Sequence, residues 1–172
     1  MILQHLFGRK KPDPSDALYA AIVAAARQPK FYSEWKVPDT LDGRFDMMVL
    51  HVFLAMDRMR DFGTEAEDLR QALTDRFFAE MDSALREVGV GDLVVGKKVR
   101  KMAEAYFGRA TAYTTAMAAG GSEMQDAVTR NVYAGGDASQ AHELAKWSLQ
   151  AKQVLAEFAP DDFRSGHIRF EP

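Results

Sequence analysis

The chain has 172 residues, 47% hydrophobic and 27% charged, with a formal net charge of −3. That is enough for one globular domain, and the wrong sign for a protein that coats DNA or RNA through its overall field. Cysteine is absent, which excludes disulfides, thiolate metal sites and a cysteine nucleophile. The opening residues place an apolar run before Arg9, Lys10 and Lys11, the reverse of a secretory signal, and no segment approaches the roughly 20 apolar residues of a membrane span. Residues 1–14 are expected as an N-terminal arm that packs on the body or frays, with docking on a partner or membrane surface as the alternative.

Ser15 and Asp16 predict the N-cap of a helix whose Leu18, Tyr19, Ile22 and Val23 share a face, and Pro29 ends it. Phe31, Tyr32 and Trp35 predict a short helical turn pressed on the core. Val37-Pro38-Asp39-Thr40 is extended, with Asp39 or Asp42 expected to cap the next helix and Arg44 to tie the loop down. A second reading makes this corner a partner surface, because Tyr32, Trp35 and Arg44 are residue types common at interface hot spots. Residues 45–60 form the most hydrophobic helix, with Phe45, Met48, Val49, Val52, Phe53 and Met56 recurring at three and four. His51 within it reads as a hydrogen-bonded core histidine.

Thr64 and Glu67 have capping-box spacing, and the helix after them carries Leu69, Leu73, Phe77, Met81, Leu85 and Val88 until Gly89 and Gly91 stop it. Leu93-Val94-Val95 is expected to seat the joint, with helix resuming near Gly96 and running toward Gly120-Gly121. Ser122 and Gln125 repeat the capping-box spacing before a helix to Tyr133; a last helix bears Leu144, Trp147, Leu149, Val154, Leu155 and Phe158 and is closed by Pro160. The expectation is an all-α, compact single-domain bundle of about six helices over residues 15–160, with residues 161–172 as a surface tail.

Reactive constellations are missing. His5, His51, His142 and His167 lie on unrelated segments, no glutamate has a histidine three residues on, and Gly89-Val90-Gly91 fits neither a dinucleotide fingerprint nor a phosphate loop. No serine sits in a nucleophile-elbow context. A non-enzymatic binding protein without cofactor or metal is expected. The unusual feature is Lys97, Lys98, Arg100 and Lys101 at a helix start, where positive charge opposes the helix dipole. Either Asp92 and nearby acids neutralise it, or it meets an anionic partner: ribosomal RNA, membrane lipid phosphate or an acidic protein face. No aromatics are interleaved through it for base stacking.

Several short motifs then agree in order: Arg27-Gln28-Pro29-Lys30-Phe31-Tyr32, the stretch from Val37 through Asp46, Leu50-His51, Asp75-Arg76-Phe77-Phe78, Met81-Asp82, the stretch from Leu85 to Asp92, and Tyr106-Phe107-Gly108-Arg109. From Leu18 to Met117 the chain resembles the ubiquinol–cytochrome c chaperone family, in its compact bacterial form; the segment after Gly120 carries little of the resemblance, and Tyr106-Phe107 stands in the reverse of the family order. The resemblance implies a helical assembly chaperone that binds newly made cytochrome b and promotes its incorporation into the cytochrome bc1 complex. It also implies a cytoplasmic location, peripheral at the inner face of the membrane, and a small helical partner protein. Tyr32, Trp35, Arg44, Lys97, Lys98, Lys101 and Arg109 are the expected partner-binding residues, the lysines and Arg109 toward a ribosome or anionic membrane surface. The nine methionines would suit an adaptable client surface, although Met47, Met48 and Met56 read as core. The competing reading is a helical adaptor with partners outside the respiratory chain.

Overall fold

The computed structural model describes residues 13–134 and 136–171. Their regular structure is helical, without a strand among the described residues, in the order α1 (Asp16–Ala26), α2 (Pro29–Ser33), α3 (Leu41–Arg60), α4 (Glu67–Glu87), α5 (Asp92–Ala119), α6 (Gly121–Val128), α7 (Ala141–Leu155) and α8 (Pro160–Ser165). A 3-10 turn, Gly63–Ala66, leads into α4, and a π turn, Thr129–Tyr133, extends α6.

The centre of the fold is α3. Every residue from 46 to 56 is buried, so this helix has no solvent face there and is wrapped by α1, α5 and α7. A helix that is apolar all round is the expected signature of that position. Thr40 starts it: its Oγ1 accepts from the Gly43 N–H at 3.1 Å. The cap is thus Thr40 rather than Asp39 or Asp42, because Asp39 is engaged by the Arg44 guanidinium at 2.7 Å. Gly43 is required by the tight approach of the loop before it. A Cβ there would lie 2.0 Å from the Pro38 carbonyl oxygen.

Two polar side chains are buried in α3. His51 is held through Nδ1 against the Met47 carbonyl at 2.8 Å, among the rings of Phe31, Trp147 and Phe170. Asp46 takes Arg109 of α5 at 2.8 Å, and Arg109 in turn lies over the Phe45 ring, 5.7 Å from its centre. The Tyr113 hydroxyl is buried one turn along α5, and burial, with Asp46 second, raises its pKa.

Three of the expected caps are not formed. Ser15 is buried and its hydroxyl donates to Asp13 at 2.6 Å. Thr64 lies inside the 3-10 turn, which delays α4 to Glu67 and leaves no side-chain cap. Ser122 donates to its neighbour Glu123 at 2.7 Å while Gly120 occupies the cap position of α6. For Ser15 and Ser122 a local carboxylate outcompetes the helix-end N–H groups, as short hydroxyl side chains readily allow.

The C-terminal residues close the core rather than lying over it. Phe163 and Phe170 are buried, with Phe163 edge-on to Phe62 and Phe170 on His51. Lys30 pairs with Glu171, and Arg164 with Asp68 at 3.0 Å. Gly166 makes the reversal after α8 with φ of 70°, where a Cβ would meet the Ala17 carbonyl oxygen at 2.5 Å. The expected surface tail is replaced by a strap because its two aromatics have a hydrophobic seat between α1, α3 and α7.

Candidate interaction site

The long helices α4 and α5 form a hairpin that outruns the core. At about 1.5 Å per residue, the 28 residues of α5 span roughly 42 Å. Beyond Phe77 of α4 and before Tyr106 of α5, only Leu85 and Val95 are buried, and neither belongs to the main core. The joint itself is well defined. Gly89, with φ of 87°, lets the Val90 N–H donate to Leu85 O at 3.0 Å and the Gly89 N–H to Arg86 O at 2.9 Å, the paired bonds of a glycine-terminated helix. Arg86 then fastens the two helices by pairing with both Asp82 and Asp92.

Helix α5 begins at Asp92, four residues before the expected restart at Gly96. That changes what Leu93-Val94-Val95 does. In a helix successive side chains are about 100° apart, so only one of three can face α4. Val95 does; Leu93 is 100% exposed, Val94 48% and Val88 across the joint 62%. The run seats the joint through a single residue and leaves an apolar tip.

The same periodicity sets Lys97, Arg100, Lys101 and Glu104 on the outward side of α5 with Leu93, opposite Val95 and Tyr106. Lys97, Lys98, Arg100 and Lys101 are all exposed. Arg100 reaches Glu104 at 3.2 Å; the three lysines have no ion-pair partner among the described residues. Asp92, the expected neutraliser, is occupied by Arg86. Farther along this face Phe107 is 58% exposed, while Tyr106 turns inward against Phe77 and Phe78. The adjacent groove between α5 and α6, about 440 Å³, is lined by small side chains of α5, Gly108, Ala112 and Ala116, facing Glu123 and Arg130.

The other expected partner-binding residues lie elsewhere. Arg109 does not join the lysines; its guanidinium is committed to Asp46 inside the α3–α5 contact. The Tyr32 hydroxyl donates to the Ala26 carbonyl at 2.9 Å, and Trp35 is half-buried with Phe31 and Trp147 under the Lys30 ammonium. Arg44 is exposed and held by Asp39. Of the described methionines Met47, Met48, Met56, Met59 and Met124 are buried and Met81, Met102 and Met117 partly so, so they do not form an exposed methionine surface. The residues missed by sequence reasoning are Val88, Leu93, Val94 and Phe107. The signal for Leu93 and Val94 was present: consecutive apolar residues at a helix start exceed what one buried face accepts.

Among the described residues, no group of three or more His, Asp or Glu side chains is arranged to hold a metal ion, and no helix is long and apolar enough to cross a membrane. The fold and this hairpin define an all-helical protein whose distinctive surface is a charged, apolar-tipped arm.

The family model described as ubiquinol-cytochrome C chaperone matches residues 33–170, and the chain belongs to that family. The match runs through the C-terminal half, which the sequence motifs had left largely out; that half supplies α7 and the strap. Among solved structures, the crystal structure of the Cbp3 homolog from Brucella abortus is similar, with 37% sequence identity, a TM-score of 0.82, and coverage of 91% of this chain and 87% of that one. No protein of curated function matches.

Proposed function

We propose that this chain is a non-enzymatic chaperone that binds newly made cytochrome b and promotes its incorporation into the ubiquinol–cytochrome c reductase complex. The observation that carries the reading is the family match across residues 33–170; the likeness over most of both chains to the Cbp3 homolog supports it. The described residues suit such work. Their distinctive surface is an apolar and cationic arm, a surface for holding rather than converting. The protein acts peripherally at the cytoplasmic side of the membrane, where its client is inserted. Lys97, Lys98 and Lys101 face an anionic surface there, and the corner made by Tyr32, Trp35 and Arg44 takes a partner protein.

The test is deletion of the gene, followed by quantification of cytochrome b and of cytochrome bc1 activity against another respiratory complex. Selective loss of cytochrome b, restored by the wild-type chain, is the expected result. Unchanged cytochrome bc1 levels in a strain with no second family member would leave a helical adaptor with partners outside the respiratory chain.

A further inference from the structure

We infer that the tip of the α4–α5 hairpin is a lipid-surface anchor, in which Val88, Leu93 and Val94 seat in the interfacial layer of an anionic bilayer while Lys97, Lys98 and Lys101 meet its phosphates. This deepens the reading of the cationic face given above by naming the surface it faces.

Leu93 is fully exposed and Val88 and Val94 are exposed beside it, on a joint that the Gly89 turn and the Arg86 pairs hold in one geometry. Among the described residues none covers Leu93, and Val88 and Val94 are left about half or more exposed. Their placement relative to the cations matches the depth profile of a bilayer surface. With the arm pointing into the membrane, the helical rise of about 1.5 Å per residue puts Lys97 roughly 6 Å and Lys101 roughly 12 Å above Leu93. Apolar faces of interfacial helices sink about 5–10 Å into the boundary between headgroups and acyl chains, so the lysines come to the phosphate level. Their charge is available, because Asp92 is taken by Arg86 and Glu104 by Arg100. Arg86 answers two carboxylates and Glu87 is unpaired, so from Asp82 to Glu104 five cations stand against four acids, and the excess lies on the α5 side, where the three lysines have no ion-pair partner among the described residues.

Two other occupants fit less well. Single-stranded RNA is gripped by aromatic stacking within a cationic groove, and residues 88–101 contain no aromatic side chain. A second copy of the chain would bring two sets of these cations together across a symmetric contact, which is repulsive.

The chain has no cysteine, so one introduced thiol can report on the tip alone. The full chain with Leu93→Cys carrying an environment-sensitive fluorophore is mixed with vesicles of phosphatidylcholine, with or without phosphatidylglycerol; Ser139→Cys, exposed in the loop before α7, serves as the control. Expected is a blue shift at position 93 with the anionic vesicles only, quenched by lipids spin-labelled just below the headgroup, and none at position 139. Combined Lys97→Glu, Lys98→Glu and Lys101→Glu is expected to lower the vesicle-bound fraction at least about tenfold, with an unchanged circular dichroism spectrum.

Co-sedimentation without a shift at position 93 would overturn the inference and assign binding to another segment, such as Arg9, Lys10 and Lys11 of the N-terminal arm. Equal binding to uncharged vesicles, a shift produced by polyuridylate instead of vesicles, or one that grows with protein concentration without lipid would each overturn it as well. The assay contains no client. Its failure would therefore leave the cytochrome b test of the gene deletion standing.

Discussion

Arg109 and the lysines of α5 look alike in sequence and do opposite work. Lys97, Lys98 and Lys101 are exposed cations that no fold contact uses, whereas Arg109 neutralises a carboxylate inside the protein. Arg109→Ala is therefore expected to cost about 3 kcal/mol of stability, the usual cost of orphaning one member of a buried pair, read as a lower midpoint in urea, with vesicle binding unaffected. The lysine reversals should show the converse. Asp46 and His51 also give the fold a pH dependence of opposed signs. Burial pushes the Asp46 carboxyl up to about 7 despite the pull of Arg109, so its contribution is full below the ordinary carboxylate range and is lost as pH rises toward 7. Burial holds His51 down to about 4; its contribution is full above the ordinary histidine range and is lost as pH falls from about 6.5 to 4. Across that window the two offset each other. Asp46→Asn removes one side, so the variant should lose stability more steeply than the wild type on acidification from pH 6.5 to 4, measured by urea titration at each pH. The core histidine was legible in sequence, but the Asp46 pair was not: Asp46 was one more acidic residue near a helix start and its partner lay 63 positions away.

At the scale of the elements, the positions of the helices were readable and their ends were not. Apolar spacing identifies the segments that became α1, α3, α4, α5 and α7, because one buried stripe per helix imposes a period that any bundle must respect. Ends are decided by single hydrogen bonds: Ser15 and Ser122 each found a nearer partner than a helix N–H, and Thr64 was taken into a 3-10 turn. The glycines sort the same way. Gly43→Ala should destabilise by at least about 2 kcal/mol through overpacking, because the Pro38 carbonyl already fills the space. Gly96 is helical with nothing within 4 Å of an added Cβ, so Gly96→Ala should raise stability by about 0.5–1 kcal/mol. Thermal melts of the two variants would show shifts of opposite direction. A glycine demanded by sterics and one merely tolerated by a helix are identical letters in the sequence; only the neighbouring chain separates them.

At the scale of the molecule, the all-helical class followed from the spacing of apolar residues, while the division into a packed body and a protruding arm did not. Periodicity says which side of a helix is apolar; it does not say where along a long helix its neighbours stop. The stretch between Val95 and Tyr106 keeps enough apolar residues, Val99 and Met102 among them, to read as core, yet the body ends before it reaches them. The C-terminal strap escaped notice for a related reason: Phe163 and Phe170 stand among charges, and their seat is assembled from α1, α3 and α7. Phe170→Ala should lower stability by about 3 kcal/mol, as for other buried phenylalanines, detectable as a lower urea midpoint. The strap also sets an order of events during synthesis. Helix α1 and the face of α3 around His51 leave the ribosome long before residues 163–170 do, and until that last stretch emerges the part that Phe163 and Phe170 cover stays open. Synthesis must carry the chain past Phe170 before the body can become a finished fold, so a chain cut short of it would present an open core to proteases.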